Sequence, residues 1–377
     1  MNTKLKTILR IIGALLCLYL FLVSITLLGA SFKLFGKSFA EQLVRSCSDP
    51  FTGLFIGILA TTLVQSSSTT TSLIVGFVGG GVLPLGFSIP MIMGANIGTT
   101  VTNSLASFAF ITRKRDFRRA FAGATVHDLF NVLSVLLFFP LEMKFHFIEK
   151  MALAMTRLFE GVGGVQFASP LKVVIGPAVK AIEHFFIGIL GTPHRVAAIL
   201  MLILALVIMV FSLIYLVQVL RKLVIGQVEL FVERYLFSND LTAMLLGLGT
   251  TVAVQSSSVT TSVIVPLVGS GILKLKQAYP FTLGANVGTT CTAILAALAT
   301  VTVASGGGAA ATVGVTAAFA HLLFNICGII VFYPLRRIPI GLAVGLARIV
   351  AERRWVAVLF VVSVFYLLPF LMIFINR

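Results

Sequence analysis

The chain has 377 residues, of which 58% are apolar and only 11% are charged. Soluble domains average roughly 45–50% apolar and about 25% charged residues, so this composition excludes an ordinary soluble globule. The net charge is +16, but the Lys and Arg residues lie in short clusters between apolar runs, as in the cytoplasmic loops of membrane proteins. The sequence therefore predicts an all-α polytopic membrane protein that binds the lipid bilayer and no nucleic acid.

Three apolar runs have about the 20 residues that a helix needs to cross a bilayer. They are Ile8 to Ala30, Val196 to Leu220 and Trp355 to Ile375. The first run follows basic residues, but no clear small-residue cleavage site precedes a soluble domain. We therefore expect it to be a retained span and not a signal peptide.

An internal duplication divides the chain into two halves. Residues 61–100 match residues 251–290 without a gap at an offset of 190, and 23 of the 40 positions are identical. The shared blocks are VQSSS, at 64–68 and 254–258, followed by GANIGTT at 94–100 and GANVGTT at 284–290. A third match pairs His127 and Asn131 with His321 and Asn325 at an offset of 194. Such self-similarity indicates two related structural repeats.

Equivalent loops of the two halves differ in charge. The first half carries RKRDFRR at Arg113 to Arg119, where the second half has the uncharged segment Val301 to Ala310. Conversely, the uncharged loop Gly79 to Phe87 corresponds to a loop that contains Lys274 and Lys276. Because cytoplasmic loops collect Lys and Arg, this pattern predicts two inverted repeats, the usual construction of secondary transporters. In each repeat we expect a re-entrant or broken helical hairpin that carries QSSS.

This organisation predicts five segments along the chain. They are an N-terminal span and connector (1–48), repeat 1 (49–145), a linker with amphipathic segments and a span (146–240), repeat 2 (241–337), and a C-terminal segment with the last span (338–377). The side of the membrane that holds the C-terminus is left open.

The QSSS blocks place unusually many polar side chains at membrane depth, in QSSSTTTS at 65–72 and QSSSVTTS at 255–262. A single Ser or Thr in a membrane helix usually bonds back to its own helix, but a block repeated in both halves favours a binding site. Hydroxyls donate and accept, so they suit a protonated tetrahedral oxyanion, and the Gln oxygen suits Na⁺. Two glycines in each GAN block predict an interruption of the helix there.

Asp128 lies inside an apolar segment and is a candidate cation ligand. The alternative is an interfacial carboxylate near Arg118 and Arg119, and the counterpart in the second half is Leu322. We expect His127 and His321 to serve in helix packing. No P-loop, HExxH or GxSxG motif is present, so the sequence does not predict an enzyme.

The paired QSSS blocks, GANIGTT, and the run FRRAFAGATVHDLFN at Phe117 to Asn131 resemble type II sodium-phosphate cotransporters. The resemblance runs from about Thr52 to Leu335 and is to a compact bacterial member without a PhoU-like domain. It implies electrogenic, sodium-coupled symport of inorganic phosphate by alternating access, in the bacterial cytoplasmic (inner) membrane. Sodium ions would be the coupling ions, with no other cofactor, and a homodimer is one open alternative for the oligomeric state.

Candidate site residues come from these blocks and from the resemblance. The phosphate candidates are Gln65, Ser66, Ser67, Ser68, Gln255, Ser256, Ser257 and Ser258. The sodium candidates are Gln65, Asn96, Thr99, Asp128, Asn131, Gln255, Ser256, Asn286, Thr289 and Thr292. Phe110, Arg113 and Ala285 depart from the family's pattern, so the number of sodium ions is not predicted.

Three other functions remain open at this point. The first is a channel whose Ser and Thr side chains line a pore. The second is a sodium- or proton-coupled transporter of another oxyanion, such as sulfate or arsenate. The third, a membrane enzyme that acts on lipid phosphate, lacks a visible nucleophile and base.

Overall fold

The computed structural model describes residues 49–161, 170–208, 211–212, 239–303 and 309–376, with scattered positions between 12 and 34. Every regular element in these ranges is helical, and four helices are long and apolar enough to cross a membrane. They are Lys114–Phe145, Leu275–Leu298, Thr312–Phe332 and Trp355–Ile375. The prediction of an all-α membrane protein is thus confirmed, whereas parts of the predicted first span and of the linker lie outside the described residues.

The helices are numbered here in chain order. The first half contains α1 (Pro50–Val64), α2 (Ser67–Gly79), α3 (Leu85–Gly98), α4 (Val101–Ser107) and α5 (Lys114–Phe145). Between the halves lie α6 (Phe147–Gly161), α7 (Pro170–His184) and α8 (His194–Ile208). The second half contains α9 (Asp240–Val254), α10 (Ser257–Ser262), α11 (Ile264–Ser270), α12 (Leu275–Val303) and α13 (Ala309–Phe332). The chain continues with α14 (Arg337–Glu352), α15 (Trp355–Val362) and α16 (Leu368–Ile375).

Helices α1 and α2 form a hairpin in which each helix is shorter than one that crosses a bilayer. They contain 15 and 13 residues, which is about 20 Å each at 1.5 Å per residue, against about 30 Å of hydrocarbon. Helix α3 runs parallel to α1, because Gly53 lies against Phe87 near the start of both helices and Gly98 lies against Ile58 farther along. Helix α2 must therefore run back between them.

The second half repeats this packing at the offset of 190. A Cβ on Gly57 would overlap the backbone carbonyl of Met91, and a Cβ on Gly247 would overlap that of Phe281. The same relation holds for Gly94 against Leu54 and for Gly284 against Met244. These glycines let the backbones of α1 and α3, and of α9 and α12, come into direct contact. The duplication seen in the sequence is therefore also a duplication of helix packing.

The close approach of α9 and α12 gives a test of stability. Gly247→Ala is expected to lower the thermal midpoint by several degrees in detergent, because overpacking against backbone costs about 1–3 kcal/mol. Gly249→Ala, two residues away on α9, is the matched control, since no atom lies within 4 Å of the added Cβ. Alanine favours the helix there, so the control midpoint should rise or stay unchanged. Equal midpoints for the two variants would contradict the close packing.

The GAN blocks behave differently in the two halves. In the first half α3 ends at Gly98 and α4 begins at Val101, so GANIGTT interrupts the helix as predicted. In the second half α12 continues through GANVGTT from Leu275 to Val303. The predicted interruption there is wrong. The glycines do not account for this difference, because Gly94 and Gly98 pack against α1 as Gly284 and Gly288 pack against α9.

The two halves interlock at the crossing of α5 and α13. Gly328 lies against Ser134, and these two positions are equivalent at the offset of 194. On either side, the rings of Phe130 and Phe332 lie 6.3 Å apart and those of Phe138 and Phe324 lie 6.2 Å apart. Adding 194 to the first-half member of each pair gives the second-half member of the other. The two helices therefore cross antiparallel at equivalent points.

Candidate functional site

Both QSSS blocks break a helix with the same backbone conformation. Gln65 is left-handed, with φ 57° and ψ 24°, and Gln255 has φ 55° and ψ 29°. Ser66 and Ser256, which follow, are extended. Left-handed backbone is uncommon for residues other than glycine, and it occurs at only one other such position in the described residues, His146. The side-chain amide of Gln255 donates to Val252 O at 2.7 Å, and Gln65 makes the equivalent bond to Thr62.

The first serine of each block caps the helix that follows. Ser66 Oγ accepts a hydrogen bond from Thr69 N at 3.2 Å, and Ser256 Oγ accepts one from Val259 N at 3.3 Å. Helix α2 therefore begins at the break. Its unpaired N–H groups and the positive end of its dipole lie at the tip of the hairpin, where α1 ends. A helix start of this kind attracts an anion.

Three of the remaining hydroxyls stand apart, since Thr69 Oγ1 lies 2.9 Å from Ser66 Oγ, Ser262 Oγ donates to Val259 O at 2.8 Å, and Ser72 Oγ is buried with no partner in the described residues. The others divide into two groups. Thr70, Thr71, Thr260 and Thr261 donate to the carbonyl four residues earlier, at 2.8–3.0 Å, as hydroxyls in membrane helices commonly do. Ser67, Ser68 and Ser257 are buried, yet their hydroxyls make no hydrogen bond within the described residues. Ser258 Oγ donates weakly to Thr99 O, at 3.5 Å. These serines, and not the threonines, are thus available to a ligand.

The side-chain oxygen of each of these glutamines accepts a hydrogen bond from a threonine, which lies on α4 in the first half and on α12 in the second. Thr102 Oγ1 donates to Gln65 Oε1 at 3.0 Å, and Thr292 Oγ1 donates to Gln255 Oε1 at 2.9 Å. Thr292 is among the sodium candidates, whereas Thr102 was missed. The offset of 190 relates the two threonines, so the duplication itself held the signal for Thr102.

A buried polar network lies between the halves. Asn131 Nδ2 donates to Asn96 O at 2.9 Å, and Asn286 Nδ2 donates to Asn131 Oδ1 at 2.8 Å. His321 Nε2 lies 3.3 Å from Asn96 Oδ1. His321 therefore takes part in a hydrogen-bond network between the halves, which goes beyond the helix packing expected from the sequence. In the symmetric position His127 lies beside Asn286.

Asp128 is buried in the first half, with 2% of its surface exposed. The alternative of an interfacial carboxylate is therefore wrong. Ser104 Oγ donates to Asp128 Oδ2 at 3.2 Å, while Oδ1 has no partner. None of the ion pairs among the described residues includes Asp128. A buried carboxylate with an open oxygen suits a cation.

The second half has no equivalent of the hydrogen-bonded pair Ser104 and Asp128. Ile294 stands at the position of Ser104, and Leu322 at the position of Asp128. The neighbouring Asn103 bonds to Thr261 across the halves, at 2.8 Å, whereas its counterpart is Ala293. The buried carboxylate at this point is thus confined to the first half.

Several candidates are not brought into one cluster. No hydrogen bond within the described ranges joins the block at 65–68 to the block at 255–258. Thr99 and Thr289 donate to carbonyls of their own helix, at 2.9 and 3.1 Å. Ser258 with Thr99 is the observed link between a QSSS block and the GAN block of the other half.

Comparison with known proteins identifies relatives over most of the chain. The family model described as Na+/Pi-cotransporter matches residues 20–166 and 208–344. Sodium-dependent phosphate transport protein 2B of Homo sapiens is 33% identical over 449 residues, which cover 96% of this chain and 64% of that protein. Sodium-dependent phosphate transport protein 2A of Rattus norvegicus is 36% identical over 438 residues, covering 98% and 67% respectively.

The chain thus spans about two thirds of the length of these relatives. No solved structure matches it. The family match covers both halves, including both QSSS blocks and the α5 segment with Asp128. The chain therefore belongs to the Na+/Pi-cotransporter family.

Proposed function

We propose that this integral membrane protein is a sodium-coupled symporter of inorganic phosphate. Family membership supports the pair of solutes, since the relatives are named sodium-dependent phosphate transport proteins. The observation that carries the proposal for this chain is the pair of identical helix breaks with free serine hydroxyls. Such polar groups at membrane depth need a ligand or water, because an unsatisfied polar group costs several kcal/mol there.

In the proposed site the serines bind phosphate. The hydroxyls of Ser67, Ser68 and Ser257 can donate hydrogen bonds to phosphate oxygens or accept one from its protonated oxygen. The N–H groups at the start of α2 add charge complementarity without a full positive charge. A site of this kind binds phosphate strongly only when cations offset the negative charge of the ligand.

Sodium ions supply that offset in the proposal. The oxygens of the pairs Gln65 with Thr102 and Gln255 with Thr292 are candidate ligands in the two halves. Asp128 is a further ligand in the first half only. A sodium ion at Asp128 would make transport electrogenic. Its charge would be balanced by a fixed carboxylate of the protein and not by the transported phosphate.

Alternating access is proposed to follow from inverted repeats. The antiparallel crossing of α5 and α13 at Ser134 and Gly328 supports a two-fold axis in the membrane plane. Helix α2 of the first half packs on α12 and α13, and α10 and α11 of the second half pack on α4 and α5. Each QSSS hairpin therefore lies against the other half, and rocking of one half against the other would move the site between the faces. The location in a bacterial cytoplasmic membrane and the homodimer stay predictions.

Uptake of labelled phosphate into proteoliposomes tests the proposed function. We expect saturable uptake with sodium outside, and background uptake with potassium or choline or in protein-free liposomes. Excess sulfate should leave uptake unchanged, and an imposed proton gradient should not replace sodium. Uptake without sodium dependence, or single-channel currents, would instead support another coupling ion or a channel.

A further inference from the structure

A cationic cavity lies far from the QSSS breaks. It has a volume of about 390 Å³ and is lined by Arg118 and Arg119 of α5, Lys274 of the α11–α12 turn, and Arg348 of α14. Helices α10 and α11 place this turn about 20 Å from Ser257. The cavity is thus separate from the proposed phosphate site.

Within the part of the chain that the structure describes, no acidic side chain forms an ion pair with these four cations. The ion pairs of the described residues are Arg113 with Asp116, Lys114 with Glu352, His146 with Glu149, and Arg336 with Asp240. None of these includes a cation that lines the cavity. Four positive charges around one concave space repel one another, so an anion in the cavity would be strongly attracted.

A second cavity adjoins the first. It has a volume of about 410 Å³ and shares Arg118 and Arg348 with the first, while adding Lys114 and Arg115. Glu352 also lines it, but that carboxylate already pairs with Lys114 at 2.6 Å. Two adjoining basic cavities that share two arginines can hold two linked anionic groups better than one.

Both cavities lie at the level where two membrane spans begin. The spans start at Lys114 and Trp355, and Arg354 donates to Thr112 O at 3.3 Å, which ties the two starts together. Ile272 and Ile349, which adjoin cavity-lining residues in the chain, are exposed by 59% and 56%, and Trp355, at the start of the last span, is exposed by 62%. Exposed aliphatic side chains and a tryptophan beside basic residues are typical of the membrane interface.

We propose that the two cavities bind the headgroup of an anionic phospholipid that carries two phosphate groups, as cardiolipin does. The charges of Arg118, Lys274 and Arg348 match the phosphates, and the exposed Ile272 and Ile349 match the acyl chains. A free phosphate or pyrophosphate ion would use the cations but not the apolar side chains. Basic pockets between membrane helices bind such lipids in general.

Native mass spectrometry of the purified full-length protein tests this proposal. Cardiolipin, phosphatidylglycerol and phosphatidylcholine are titrated separately, and we expect one cardiolipin to bind more tightly than the other two lipids. The double variant Arg118→Gln, Arg348→Gln should bind cardiolipin about tenfold more weakly or worse. The matched control is Lys276→Gln with Arg353→Gln, which removes two exposed charges that line neither cavity, and its affinity should equal that of the wild type.

Three outcomes would overturn the proposal. The first is equal cardiolipin affinity in the double variant and the wild type. The second is an equal loss of cardiolipin affinity in the double variant and the control. The third is displacement of cardiolipin by inorganic phosphate or pyrophosphate added at the same concentration of negative charge. The last outcome would identify a free-anion site instead. Should the double variant not fold, the single variant Arg348→Gln, whose side chain is exposed on α14, gives the same comparison.

Discussion

Sodium-driven phosphate uptake is expected to fall about tenfold or more when Ser67 or Ser257 is replaced by alanine. Ser67 and Ser257 are buried residues whose hydroxyls have no hydrogen-bond partner within the described residues, so phosphate is the partner that the proposal gives them. A hydrogen bond to a charged group contributes about 1.5–3 kcal/mol, and its loss weakens binding roughly tenfold to a hundredfold. The measurement is the initial rate of uptake at phosphate concentrations below the KM.

Thr70→Val is the matched control for the serine variants. It also removes a buried hydroxyl from α2, but that hydroxyl donates to Ser66 O at 3.0 Å and is not available to a ligand. Uptake by this variant should stay close to that of the wild type. Wild-type uptake in both Ser67→Ala and Ser257→Ala would remove the serine hydroxyls from the proposed phosphate site.

Ser66→Ala and Ser256→Ala are expected to combine two effects. They remove a hydroxyl that is a candidate phosphate ligand, and they remove the helix cap, at a cost of about 1 kcal/mol in the free energy of unfolding. Their uptake should fall and their thermal midpoint should fall with it, whereas the midpoints of Ser67→Ala and Ser257→Ala should change less. Comparing the two sets separates loss of a ligand group from loss of the cap.

Local features of the site could be predicted from the sequence. The duplication located both QSSS blocks, and polar groups at membrane depth indicated a broken helix there, as Gln65 and Gln255 show. The duplication would also have identified Thr102 as a site residue, because Thr102 is equivalent to the sodium candidate Thr292. These features depend on residues close in the chain or on identity between the halves, and both can be read from one sequence.

Contacts between the halves could not be predicted in this way. The bond of Asn286 to Asn131 joins residues 155 positions apart, and that of Asn103 to Thr261 spans 158. Which residues meet depends on how α5, α12 and the QSSS hairpins pack, and packing is not encoded in any local pattern. The continuity of α12 through GANVGTT was not predictable either, since its glycines pack against α9 in the same way as those of GANIGTT pack against α1, where the helix is interrupted.

Replacing Asp128 with asparagine is expected to make phosphate uptake independent of membrane potential. In the proposal the carboxylate balances one sodium ion, so each wild-type cycle carries net positive charge inward. Moving one charge through 100 mV is worth about 2.3 kcal/mol, or about fiftyfold in the accumulation ratio at equilibrium. The variant should lose this gain while it still carries phosphate, and Asp128→Gly should behave in the same way.

The measurement is phosphate accumulation in proteoliposomes with and without an imposed inside-negative potential, together with labelled sodium uptake. The variant should carry one sodium ion fewer per phosphate than the wild type. Ser104→Ala is the control, because it removes the hydrogen bond to Asp128 and keeps the charge. It should stay sensitive to potential, with weaker sodium affinity. Equal sensitivity in Asp128→Asn and the wild type would show that another group sets the charge of the cycle.

The second half suggests a sharper form of this experiment. There Ile294 and Leu322 occupy the positions of Ser104 and Asp128, so the fold already accommodates an apolar pair at the equivalent point. The double variant Ser104→Ile, Asp128→Leu should therefore fold and transport phosphate without net charge. Because it leaves no unpaired hydroxyl, an electroneutral cycle in this variant can be attributed to the missing carboxylate. Persistent charge movement would mean that the difference between the halves at this point does not determine electrogenicity.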